Sequence, residues 1–173
     1  MKKQLIFLLS ITLLNFGSSL TAQKLSRTEK KIVAKVNSYE QEAIDFLEKV
    51  VNINSGTMNL KGVKAVGQVF NDAFQAIDFD TRWIEMPAEM NRAGHLFASI
   101  NGKKGKKLLL IGHLDTVFEA DSPFQTFERK DSIAYAPGGN DMKGGDVVVL
   151  YALKALHELN LLKEASITVA FTG

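Results

Sequence analysis

The chain has 173 residues, 46% hydrophobic and 23% charged, a balance that can build a soluble core and excludes global disorder. Formal net charge is +2, and leaving out Lys2 and Lys3 brings the basic residues level with the 19 acidic ones, so there is no electrostatic case for nucleic acid as a partner. The chain has no cysteine, which excludes disulfides, thiolate zinc sites, cysteine nucleophiles and a lipidated leader cysteine; any transition metal must be held by His, Asp and Glu, the set that suits catalytic zinc.

In chain order, residues 1–22 read as a signal peptide. Lys2 and Lys3 form a charged start, Leu5 to Phe16 an apolar run, and Gly17-Ser18-Ser19-Leu20-Thr21-Ala22 a small-residue exit. The apolar run is shorter than the roughly 20 residues a membrane span needs. The mature part, 23–173, is therefore expected to be exported to the periplasm or the medium, with no stable span after leader cleavage.

Residues 24–53 carry apolar positions at helical spacing, among them Ile32, Val36, Ile44, Leu47 and Val51. They fit two helices, or one broken near Asn37-Ser38. Asn54-Ser55-Gly56-Thr57 is a loop signal. An amphipathic helix follows with Val63, Val66, Val69, Phe70 and Phe74. Strands are expected at 80–85, 96–100 and 108–111, the last two joined as a hairpin through Asn101-Gly102. The lysines of that loop read as a solvated turn. Leu108-Leu109-Leu110-Ile111 is a continuous apolar run, as in a strand buried on both faces. Residues 142–159 form a helix with Val147, Val148, Leu150, Tyr151, Leu153, Leu156 and Leu159 inward, and Ser166–Phe171 a last strand. The fold class is α/β, with a mixed, largely parallel sheet and helices on both faces.

His113 and Asp115 flank one residue at the end of the apolar strand, where α/β sheets gather ligands. Residues i and i+2 of an extended segment share a side, so Asp115 can reach the imidazole or whatever the imidazole binds. Alone, this pair is equally a buried, hydrogen-bonded histidine. Asp141, between the Pro137-Gly138-Gly139 turn and a helix, alone reads as a helix cap. Together, two carboxylates and a histidine at neighbouring loop ends fit a carboxylate-bridged metal pair. His95 and His157 read as surface or packing residues, and Trp83 and the phenylalanines as core.

HLDTV at 113–117, the PGGNDMKGG segment at 137–145 and the terminal VAFTG resemble the co-catalytic zinc metallopeptidase family of glutamate carboxypeptidase, aminoacylase, acetylornithine deacetylase and succinyl-diaminopimelate desuccinylase. The upstream VNINSGTMNLKGVKAVGQVF is similar to the glutamate carboxypeptidase branch, and the likeness covers about residues 40–173. It implies two Zn2+ per complete site, His113 as ligand of one zinc, Asp141 as the aspartate bridging both, and Asp115 as the catalytic-site acid that orients His113. It also implies a cis peptide bond between Asp141 and Met142. The activity implied is hydrolysis of peptide or N-acyl amide bonds by a metal-activated water. The alternatives are an N-acyl-amino-acid deacylase and a non-catalytic truncated remnant.

In the family a glutamate pair follows the TG of such a strand, supplying general base and ligand. Further ligands come later, as does a smaller inserted domain used for dimerisation. The sequence stops at Gly173, before all of these. The 173 residues are therefore expected to be the N-terminal part of a catalytic domain, inactive alone, of a parent that forms a homodimer. Neither Asp121 nor Asp146 matches a family motif as a third ligand. An exposed SITVAF edge is expected to invite aggregation.

Overall fold

The computed structural model describes residues 24–173, so the expected signal peptide lies outside the described residues. The chain divides into Met1–Lys30 and a compact unit, Lys31–Gly173. Helix α1 (Arg27–Asn37) starts with a reciprocal capping box: the Glu29 N–H donates to Ser26 Oγ at 3.2 Å and the Ser26 N–H to Glu29 Oε2 at 2.7 Å. It ends at Ser38-Tyr39, and α2 (Glu40–Val51) follows. The break falls at the point the sequence marks.

Helix α3 (Leu60–Gln75) is capped by Asn59, whose side chain accepts from the Gly62 N–H at 3.1 Å. Its inward residues Val63, Val66, Phe70 and Phe74 are fully buried. Strands β1 (Asp80–Ile84), β2 (His95–Asn101) and β3 (Lys107–His113) come next, then a short antiparallel pair, β4 (Glu128–Lys130) and β5 (Ile133–Tyr135). A π-helical turn (Gly139–Lys143), kinked where Asp141 and Met142 take non-helical backbone angles, α4 (Gly144–Glu158) and β6 (Ser166–Thr172) complete the described chain.

The main sheet has the order β1-β2-β6-β3. β2 pairs antiparallel with β1 and β6, and β6 pairs parallel with β3. The α/β class and the mixed sheet stand as expected, with one of the three pairings parallel among the described residues. The Asn101-Gly102 hairpin does not form. β6 lies between β2 and β3, and the loop leaving β2 turns across its start, with the Gly102 N–H donating to Ala165 O at 2.7 Å and the Lys104 N–H to Glu164 O at 3.0 Å. SITVAF is accordingly an interior strand, not an edge.

Leu96, Ala98, Val169 and Phe171 share one face of the sheet, and the helices pack on it. Phe70 of α3 meets Phe171 edge-on at 5.1 Å and Phe46 of α2 at 5.3 Å. On α4, Val147, Leu150, Tyr151 and Leu153 turn inward, but Val148 is exposed. The Val147-Val148-Val149 run is apolar all round, so its pattern cannot say which valine faces out. The opposite sheet face carries Phe97, Thr168, Leu109 and Ile111, and Leu109 and Ile111 are 56% and 65% exposed. Helices thus cover one face among the described residues. β3 is an edge strand covered on one side, where its sequence reads as buried on both.

Candidate metal centre

The parallel ladder between β3 and β6 runs to its last rung at His113 and Thr172, and the Leu114 N–H continues it onto Thr172 O at 2.7 Å. Leu114 is wholly buried, which fixes the backbone on either side of the histidine. Beyond it the chain switches partner. Thr116 forms a parallel bridge with Gly56, the Thr116 N–H donating to Ser55 O at 2.8 Å and the Thr57 N–H to Thr116 O at 3.0 Å. Asp115 is held between these two anchors.

The other half of the site comes from the π-helical turn. Gly138 opens it at φ +69°, a conformation that favours glycine, and a Cβ there would meet Thr116 Cγ2 at 2.2 Å. The Asp141–Met142 peptide bond is cis, as the resemblance implies. Lys143 fastens the turn to the protein. Its side chain is 1% exposed, and Nζ donates to Val50 O at 2.8 Å and Ile53 O at 3.0 Å. Those carbonyls lie at the end of α2, where helical acceptors lack partners and a cation is favoured. Burial lowers the Lys143 pKa to about 8, against the raising effect of Asp146.

At the mouth, His113 Nδ1 faces two acceptors, the Asp115 backbone oxygen at 3.0 Å and Asp115 Oδ1 at 3.3 Å. Its Nε2 faces Asp141 Oδ1 at 3.0 Å. A ring that donates from Nδ1 to the Asp115 oxygens leaves Nε2 facing a carboxylate oxygen. Two acceptors aimed at one another are what a divalent cation bound by both requires. The Asp141 side chain is 82% exposed and that of Asp115 22%, so the first is open to a ligand and the second backs the histidine. Thr57, Thr116, Phe118 and Asn140 join these three around a cleft of about 320 Å³.

The donors fit zinc by type, being imidazole and carboxylate without thiolate. Among the described residues, no three His, Asp or Glu side chains converge closely enough to hold a metal by themselves. His113 Nε2 and Asp141 Oδ1, 3.0 Å apart, are two atoms of the types that such a site uses.

Residues 109–173, which contain both, match the peptidase family M20/M25/M40. Carboxypeptidase G2 of Pseudomonas sp. (strain RS-16) is 34% identical over 152 residues, covering 85% of this chain and 36% of that protein. The chain thus matches that peptidase family over residues 109–173 and is a homologue of carboxypeptidase G2. It spans about a third of the length of the relatives it matches. The fold is similar to that of human carnosine dipeptidase 1, with TM-score 0.73 at 19% identity over 83% of this chain and 34% of that one. It is also similar to an M20 family metallo-carboxypeptidase from Sulfolobus solfataricus, with TM-score 0.63 at 20% identity over 76% and 30%.

The structure brings His113, Asp115 and Asp141 together. Asp121 is exposed and does not line the cleft. Asp146 is wholly buried behind β3, where a Cβ on Gly112 would meet its Oδ1 at 2.0 Å. His157 pairs with Asp78 at 2.9 Å, and His95 Nδ1 accepts from the Gly173 N–H at 3.3 Å. Sequence reasoning missed the Lys143 anchor and the part played by Ser55-Gly56-Thr57. A lysine inside an apolar helix start was a signal for the first. The second left only a loop signature, which names no partner strand.

Proposed function

We propose that the protein is a zinc-dependent hydrolase of peptide or N-acyl amide bonds, like a glutamate carboxypeptidase, with His113 and Asp141 holding zinc. The observation that carries this reading is the 3.0 Å approach of His113 Nε2 to Asp141 Oδ1, with the other ring nitrogen occupied by Asp115. Bound zinc supplies Lewis acidity, polarising an amide carbonyl and acidifying water. Asp115 fixes the tautomer and angle of the imidazole and raises its basicity. Asp141, on a turn anchored by Lys143, presents its carboxylate to the open cleft and can be shared by two cations. Export to the periplasm or medium belongs to this reading, supported by the Lys2-Lys3 start and the apolar run from Leu5 to Phe16; among the described residues no helix is long and apolar enough to cross a membrane.

The test compares the full protein with its His113→Ala and Asp141→Asn variants, on peptides ending in glutamate and on N-acyl amino acids, with bound zinc measured in each. Zinc-dependent cleavage of the peptides, lost in both variants, is the expected result. Preference for the N-acyl amino acids would move the protein to the deacylases. Undiminished turnover in either variant would remove the metal assignment.

A further inference from the structure

Asp115 and Thr57 lie 58 residues apart in the chain, yet the Thr57 hydroxyl donates to Asp115 Oδ2 at 2.6 Å. Among the described residues the hydroxyl's other acceptor is Thr116 O, at 3.3 Å, which already receives the Thr57 backbone N–H at 3.0 Å. The shorter bond, to the Asp115 carboxyl oxygen, therefore takes the proton. With Oδ2 engaged, the carboxyl group is turned so that Oδ1 stands 3.3 Å from His113 Nδ1, beside the Asp115 backbone oxygen at 3.0 Å.

The segment presenting Thr57 is itself immobilised. Asn54 Nδ2 lies 2.9 Å from Phe118 O and 2.7 Å from Gln125 Oε1, and Asn59 Nδ2 is 3.0 Å from Asn54 O. Ser55 Oγ donates to Leu114 O at 2.8 Å. The hydroxyl is thus set by a framework tied to the strand that carries the histidine and to the loop beyond it. A side chain placed this firmly against a half-buried carboxylate can dictate the carboxylate's rotamer.

We infer that Thr57 is a positioning residue: its hydroxyl locks the Asp115 carboxylate, and through it the tautomer and aim of His113. The inference rests on His113 being a metal ligand for its consequence in function, but the positioning itself is measurable without metal.

The experiment uses Thr57→Val, nearly isosteric but unable to donate, with Thr57→Ser as the rescue. Thr57→Ala is the fallback if valine lowers Tm by more than a few degrees, since the backbone bonds of residue 57 survive in all three. In metal-free protein, long-range 1H–15N NMR of His113 is expected to show one Nδ1–H tautomer in the parent chain and Thr57→Ser, and a mixture in Thr57→Val. Zinc affinity by chelator competition is expected to weaken about 10- to 100-fold in Thr57→Val and to recover in Thr57→Ser. A folded Thr57→Val with the parent tautomer and the parent zinc affinity would overturn the inference. So would a change confined to KM with the tautomer unmoved, which would make Thr57 a substrate contact. A parent chain that binds no zinc while Thr57→Val still alters the tautomer would sink the metal reading and leave the positioning role standing.

Discussion

Asp141 and Asp146 stand five residues apart where the π-helical turn becomes α4, and their environments are opposites. Asp141 has its side chain 82% exposed and faces an imidazole nitrogen. Asp146 is fully buried, and neither of its oxygens has a hydrogen-bond partner among the described residues. Burial pushes its pKa up to about 8, only partly countered by the charge of Lys143. The contrast separates two uses of one residue type. A carboxylate that keeps its charge and its access to solvent can bind a cation, whereas one sealed behind a strand is costly to ionise and contributes to the site only through the helix it sits on.

The sharpest way to break this contrast is to neutralise each aspartate. Asp141→Asn should lower hydrolysis about 10³-fold or more, the loss of several kcal/mol of transition-state stabilisation. Asp146→Asn should keep bound zinc and most of the activity. Equal losses from both, in folded proteins and measured as kcat/KM, would show that Asp146 belongs to the site.

Lys143→Met comes next in size. It removes both bonds to the end of α2 and leaves Asp146 without the nearby cation, a change expected to cost about 3–5 kcal/mol in urea unfolding. Adding Asp146→Leu should recover part of that loss, because it removes the buried carboxyl group left without a partner. An additive double variant would mean that the two groups do not interact.

The pH dependence of stability separates the aspartates without touching activity. Asp146 titrates near pH 4 when unfolded and at about 8 when folded. Between those values the folded state binds more protons, so on its account stability falls as pH rises from about 4 to about 8 and is level above. Lys143, lowered to about 8 from 10.5, acts in the other direction: stability rises with pH from about 8 to 10.5. Urea midpoints should therefore pass through a trough near pH 8, and Asp146→Asn should flatten its acid side. An unchanged acid side in that variant would contradict the buried-carboxyl account.

The smallest expected effect is at Gly112. A Cβ there would meet Asp146 Oδ1 at 2.0 Å and the Phe171 ring at 3.0 Å, so Gly112→Ala should destabilise by about 1–3 kcal/mol. Shortening the neighbour with Asp146→Ala should relieve part of that. If the second change brings no relief in thermal melts, the crowding lies with Phe171 alone.

The ends of β3 and of the π-helical turn were legible in the sequence because their chemistry is local. A histidine two residues before an acid at a strand end, and an acid in a glycine turn before a helix, carry their meaning within a few positions. The helices were legible for the same reason, being written in a period of three to four residues. What was not legible depends on distant partners. Asn101-Gly102 has the form of a hairpin turn, but whether β2 and β3 pair is decided by β6, some sixty residues later. The apolar run of β3 reports only that it is apolar, so it could not announce that Leu109 and Ile111 stand open on one face. Thr57 gave no sign of its role, since the carboxylate it holds lies on another element.

The place of β6 also governs the order in which the molecule can assemble. β2 and β3 are both made well before Ser166, yet each finds its sheet partner in β6. During synthesis β2, which can pair with β1, keeps one edge open and β3 has no partner in that sheet until the strand between them arrives. Closing loops of that length is slow. The helices, whose contacts are local, can form first, and the rim carrying His113 acquires its final geometry only when the last described strand slots into the gap.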